Sequence, residues 1–172
     1  GGNFRNAFAL PGGLIIVSDE LVALAKHDDE LAAVLAHEIG HWQRRHGMQS
    51  VLSSSAALLL VSAVTGDLST LTSFAGTIPF ILLQRGYSRE FELEADAYAA
   101  DLLLRSGIEP RHLASVLEKL EGARPDSGVD LTYLSTHPST DDRIARIRLN
   151  KGQAAHVAKP AMAAGVEPDE AD

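Results

Sequence analysis

Two short apolar runs open the chain, Phe4-Arg-Asn-Ala-Phe-Ala-Leu10 and Leu14-Ile-Ile-Val17, on either side of Pro11-Gly12-Gly13. Such runs around a Pro-Gly turn predict two short strands. Ser18 stands where an N-cap is needed for a helix over about 19–26, with Asp19 and Glu20 at its positive end. Asp28-Asp29-Glu30 then opens a longer helix to about Arg45, with Gly47 at the place of a C-terminal stop. On that helix Leu31, Val34, Leu35, Ile39 and Trp42 fall on one stripe, which assigns Trp42 to the core.

The pattern changes after Gly47. Residues 47–66 are 20 positions without a charge, and 68–84 are another 17, separated by Asp67. Length alone would make the first a spanning candidate. Seven Ser, Thr and Gln side chains (Gln49, Ser50, Ser53, Ser54, Ser55, Ser62, Thr65) weaken that reading, and Gly76 and Pro79 interrupt the second stretch. The expectation for 47–84 is a helical hairpin buried in the domain or docked on a bilayer surface. Further helices are expected over about 88–105, 110–121 and 139–150. Residues 151–172, rich in Ala, Pro and acids, read as a solvated tail. The fold expected is mainly α (α+β), with a small N-terminal β-hairpin and a domain over 1–150.

The 172 residues and 18.3 kDa suit one domain with a real core. The absence of cysteine excludes thiolate metal sites, disulfides and a Cys nucleophile, so any metal must be held by His, Asp and Glu. A net charge of -8 argues against a nucleic-acid partner. The chain opens on Gly1-Gly2-Asn3-Phe4 without Met, which reads as an excised or processed domain.

The strongest chemical signal is His37-Glu38-Ile39-Gly40-His41 on the second helix. Positions four apart lie only about 40° apart around a helix, so both imidazoles point one way, a turn apart. That arrangement suits two neutral His on one Zn2+, with Glu38 beside them as general base. By the same angular count Glu38 falls inside the apolar stripe, where a carboxylate is costly unless a positive charge compensates it. His37 and His41 are expected at the stripe's edge.

Two His leave a tetrahedral metal short of ligands, so a third is sought downstream. On the helix after Tyr87, the apolar face is expected to hold Phe91, Ala95, Tyr98 and Leu102, with Glu92 and Asp96 flanking it on one side. Glu92 fits a third ligand. Asp96 fits an acceptor for an imidazole N–H, fixing the ring. Glu90 and Glu94 face elsewhere and should be solvated.

HExxH followed by Ser88-Arg89-x-x-Glu92-x-x-Ala95-Asp96 resembles the metallopeptidases related to the heat-shock protease HtpX and the CAAX prenyl proteases. Asn6–Gly13 looks like the strand–turn ahead of that family's zinc helix, and Ser135-Thr136-His137-Pro138-Ser139 with Asp142-Arg143-Ile144 resembles its C-terminal segment. The resemblance covers about residues 6–150. It implies a gluzincin-type, mainly helical peptidase domain with one Zn2+ on His37, His41 and Glu92, Glu38 as base and Asp96 in support. The short, Ser-rich stretch after the zinc helix is nearer the periplasmic or peripherally attached branch, so a bacterial cell-envelope location is expected.

His137 is open to three readings: a loop or cap residue, a fourth zinc ligand acting as a latch, or an oxyanion donor. Tyr87, Tyr133 and Arg143 are alternatives for the last role. His27, His46, His112 and His156 have no partner at ligand spacing and are expected on the surface. The function expected is zinc-dependent endopeptidase action on unfolded, misassembled or membrane-associated proteins, bound extended along an edge strand near Asn6–Leu10. A chaperone-like quality-control domain with a closed zinc site is the competing reading, and intact Glu38 argues against it. A small-molecule hydrolase has no further motif in its support, and a prenyl-peptide protease lacks its spanning helices.

Overall fold

The computed structural model describes residues 4–65, 86–123 and 133–149. Strands β1 (Ala7–Ala9) and β2 (Ile15–Val17) pair antiparallel in the register Ala7–Val17, Phe8–Ile16, Ala9–Ile15. They are joined by residues 10–14, where Leu10 N–H donates to Leu14 O at 2.8 Å and Gly13 N–H donates to Leu10 O at 2.9 Å. Gly13 has φ 87°, the left-handed conformation such a turn needs there. Helix α1 (Asp19–Leu24) begins at Ser18, whose hydroxyl accepts from Leu21 N–H at 3.2 Å. The expected cap is therefore in place, and the helix is two residues shorter than expected.

The central helix is α2 (Asp28–Gln43). It ends before the expected stop: Arg45 turns the chain at φ 57° and α3 (His46–Thr65) starts at once, so Gly47 lies inside α3. The remaining elements are α4 (Arg89–Arg105), α5 (Arg111–Gly122), the short α6 (Tyr133–Thr136) and α7 (Asp141–Leu149). Ser88 caps α4 by accepting from Phe91 N–H at 3.2 Å. In α3 the Ser54 and Ser55 hydroxyls donate to the carbonyls of Ser50 and Val51, which satisfies them within the helix. Among the described residues no helix is long and apolar enough to cross a membrane. The second limb of the expected hairpin and the 151–172 tail lie outside the described residues.

Helix α2 packs chiefly against α4, with α5 and β1 on its other sides. The approach of α2 to α4 depends on Gly40, where a Cβ would stand 3.0 Å from Ala95 O and 3.1 Å from Ala95 Cα. The buried face of α2 is Glu30, Ala33, Val34, Ala36, His37, Glu38, Gly40 and His41. This corrects the expected stripe in two respects. His37 and His41 sit at the centre of the buried face, not its edge, because only small residues allow two helix backbones so close. Trp42 is 42% exposed rather than core. Its indole instead lies under the hairpin turn, 3.2–3.4 Å from where a Gly13 Cβ would be.

The apolar core is Leu21, Val34, Leu103, Leu113, Val116, Leu117, Leu120, Tyr133, Leu134 and Ile147, joined by several alanines. At one side of it Glu30 is buried, accepting from Lys119 Nζ at 2.6 Å, Ser115 Oγ at 2.8 Å and Lys26 N–H at 2.8 Å. Burial raises the Glu30 carboxyl, but those donors win and bring it down to about 2. Two outcomes are expected. Lys119→Met should lower unfolding free energy by about 2 kcal/mol in urea titrations, since it strands a buried carboxylate. Because the folded pKa lies below the unfolded one, the Glu30 contribution is complete above about pH 4.5 and is lost as pH falls toward about 2. The wild type should therefore lose stability over that window more steeply than Glu30→Gln.

Candidate metal centre

The one-turn spacing on α2 brings His37 Nε2 and His41 Nε2 to 3.0 Å of each other. Opposite them, α4 presents Glu92, with Oε2 3.4 Å from His37 Nε2 and Oε1 3.4 Å from His41 Nε2. His137 closes the cluster, its Nδ1 3.1 Å from Glu92 Oε1. One donor atom from each of these four residues lies within 4.8 Å of all the others, and all four are buried.

His137 reaches this position because its turn is tied on two sides. Tyr133 N–H donates to Arg5 O at 2.6 Å, and Tyr87 N–H donates to Thr136 O at 2.9 Å. His137 lies in the loop between α6 and α7 and is fully buried, with its ring stacked on Tyr133 at 4.3 Å.

An outer layer of contacts holds the donors. His37 Nδ1 lies 3.0 Å from Asp96 Oδ1. Arg143 is buried and grips Asp96 with two N–H groups at 2.8 Å each, reaching Glu92 Oε2 with Nη1 at 2.6 Å and Pro138 O at 2.7 Å. His41 stacks on Tyr87 at 4.0 Å, and its Nδ1 is 2.9 Å from Nδ1 of His46. Glu38 is fully buried beside the cluster. Its Oε1 accepts from the Tyr133 hydroxyl at 3.0 Å, and its Oε2 has no hydrogen-bond partner among the described residues.

The electrostatics call for a cation. Burial raises Glu92, yet His137, His37 and His41 bring it well below the ordinary carboxylate range. Burial likewise raises Asp96, and Arg143 and His37 outweigh it. Burial lowers His37, but Asp96 and Glu92 raise it to about 9, so without a metal this imidazole carries the compensating proton. Burial keeps His41 well below its usual value, hence neutral. Tyr133 is pushed well above its usual value by burial and by Glu38, so it remains a hydroxyl donor.

Among the described residues Glu92 and Asp96 share the single guanidinium of Arg143, and Glu38 is buried beside them. A divalent cation on the four donors balances them. The residues thus fit a metal on three independent grounds: the donor set, the charge, and the orphaned Glu38 Oε2 alongside.

Of the residues singled out from sequence, His37, Glu38, His41, Glu92, Asp96 and His137 come together, with Tyr87, Tyr133 and Arg143 around them. Glu90 is exposed, whereas Glu94, 44% exposed, turns its Oε2 to within 3.4 Å of His46 Nε2. His46 is a correction. Expected on the surface, it is completely buried, stacked on Phe91 at 4.2 Å. Extending α2 to Arg45 would aim it outward; the left-handed turn at Arg45 returns it beneath His41. The only local sign of that turn is the charged Arg44-Arg45 pair, which does not specify it. His27 is exposed, His112 is partly buried and 3.6 Å from Asp29, and His156 lies outside the described residues.

Residues 3–151 match Peptidase family M48. The chain is similar to the mitochondrial metalloendopeptidase OMA1 of Schizosaccharomyces pombe, 34% identical over 148 residues, 83% of this chain and 42% of that protein. It is 35% identical over 147 residues to the Escherichia coli metalloprotease LoiP, 83% of this chain and 57% of the relative. The beta-barrel assembly-enhancing protease of Escherichia coli is 30% identical over 161 residues, 86% of this chain and 32% of the relative. The chain thus spans between a third and somewhat over half of these relatives. With its two-histidine helix, acidic partner helix and matching span, the chain belongs to Peptidase family M48, a family of metallopeptidases.

Proposed function

We propose that this chain is a zinc endopeptidase acting on unfolded, misassembled or membrane-associated polypeptides. The observation that carries the reading is Glu38: a fully buried carboxylate with one oxygen tethered by Tyr133 and the other free, against a His–His–Glu donor cluster. A closed, merely structural metal site has no use for that free oxygen. Zinc is favoured because the donors are two imidazoles and a carboxylate, spaced 3.0–3.4 Å apart. Bonds of about 2.1 Å in a tetrahedron place donors roughly 3.4 Å apart.

His37, His41 and Glu92 would hold the ion. When bound, zinc supplies a Lewis acid that polarises a carbonyl and makes water acidic near neutral pH. Glu38 Oε2 would take a proton from the water as its oxygen adds to the carbonyl carbon, and would give that proton to the amine as the C–N bond breaks, with the Tyr133 hydroxyl fixing the carboxylate's orientation. Asp96, locked by Arg143, holds the His37 ring in place. His137 would be a fourth donor, and in that place would slow the resting domain by standing where substrate must enter.

Substrate access is supported by a cavity of about 490 Å³ beside His41, lined by Leu10, Pro11, Trp42, Gln43 and Met48. Among the described residues β1 pairs only with β2, which leaves its other edge for an extended polypeptide to join by backbone hydrogen bonds. Exposed Leu52, Leu59, Leu60 and Val64 on α3 support contact with an apolar surface through the 47–84 stretch. Together with the β-barrel assembly named for one relative, they favour a place in the cell envelope.

The zinc-loaded protein should cleave casein, and Glu38→Gln should lower turnover by about 10²-fold or more while one zinc stays bound. Equal cleavage by both proteins would overturn the assignment of Glu38. Removal of the metal by a chelator should abolish cleavage and lower the melting temperature, as expected for a ligand bound only by the folded state. His137→Ala should raise casein cleavage. A fall would instead make His137 a transition-state donor, and an unchanged rate would remove both roles.

A further inference from the structure

We infer that His46 is a positioning residue for the metal: it fixes the ring and tautomer of His41 and relays that hold to Glu94 on the partner helix. The inference rests on the proposed metal site. Its own observation is the unusual chain of contacts from His41 Nδ1 to His46 Nδ1 (2.9 Å) and from His46 Nε2 to Glu94 Oε2 (3.4 Å).

Proton placement along this chain follows from chemistry. If His41 offers its Nε2 lone pair to a metal, the neutral ring carries its proton on Nδ1. That N–H must donate, and among the described residues the acceptor it meets is His46 Nδ1 at 2.9 Å. His46 then has its own proton on Nε2, which points at the Glu94 carboxylate. Each contact fixes the next, and every atom in the chain has one role. The His46 ring cannot swing away, because it is fully buried and lies flat on Phe91, 6° from parallel.

Helix α4 therefore steadies both histidine donors from two neighbouring acids. Asp96 holds His37 directly, and Glu94 holds His41 through His46 as a spacer. Phe91 and Glu92, on the same turns, supply the stacking wall and the third donor. Loss of an outer partner of this kind typically costs a metal site 10- to 100-fold in affinity.

The test measures zinc affinity by competition with a chromophoric chelator at fixed pH, for wild type, His46→Phe and His46→Gln. His46→Phe keeps the stack but removes both hydrogen bonds, and should weaken zinc binding by about 10- to 100-fold. His46→Gln, whose carbonyl can accept from His41 Nδ1–H, should recover part of the loss. Nitrogen-15 NMR of the zinc-loaded wild type should show His46 protonated on Nε2 alone. This readout stands even if His46→Phe does not fold, and a purely packing role would not predict it. Equal zinc affinity in His46→Phe and wild type, or a His46 proton on Nδ1, would overturn the inference while leaving the metal site intact. A wild type that binds no zinc would overturn both.

Discussion

Three carboxylates are taken out of water in one small volume, and the rest of the structure is arranged around that constraint. Glu38, Glu92 and Asp96 are each buried, and an uncompensated ion in such a place costs several kcal/mol. Arg143 answers two of them with one planar guanidinium, two bonds to Asp96 and one contact to Glu92. Because Arg143 lies on α7, the last described helix has an electrostatic reason to dock, beyond the packing of Ile147 in the core. A divalent cation on the donor cluster would balance the remaining negative charge; without one, burial lowers His37 but Asp96 and Glu92 raise it to about 9.

A second constraint, steric, sets how near the two donor-bearing helices come. Gly40 lies against the backbone of Ala95 on α4, and the buried faces of the two helices carry Ala33, Ala36, Ala95 and Ala99. This leaves the larger side chains of α2 to cover other surfaces. Ile39 and Leu35 are only partly buried, and Trp42 serves as a floor for the hairpin turn and a wall for the cavity next to His41.

These two constraints explain what could be read from the chain and what could not. Helix starts were legible because Ser18 and Ser88 are local signals, read by their own backbone neighbours. The HExxH spacing and the Glu92–Asp96 pair were legible because helical geometry alone puts them on shared faces. The burial of α2 is not legible in its large apolar residues, because a close helix pair buries small ones. His46 was missed because a single left-handed residue, Arg45, decides where it goes, and that conformation depends on the fold around it. Tyr133 and Arg143 were recognisable as polar residues near a motif. Their partners, Glu38 and the two acids of α4, are separated from them by 95 and by about 50 positions, distances over which no sequence period operates.

The turn that carries His137 hangs from the other end of the chain, through the bond from Tyr133 N–H to Arg5 O. Contacts that span so much sequence form late and slowly, since a large loop must close before they give anything back. The cluster cannot be complete until residues beyond 137 have been synthesised and have found the N-terminal hairpin. A polypeptide emerging residue by residue therefore carries the two-histidine helix long before it carries all four donors of the cluster.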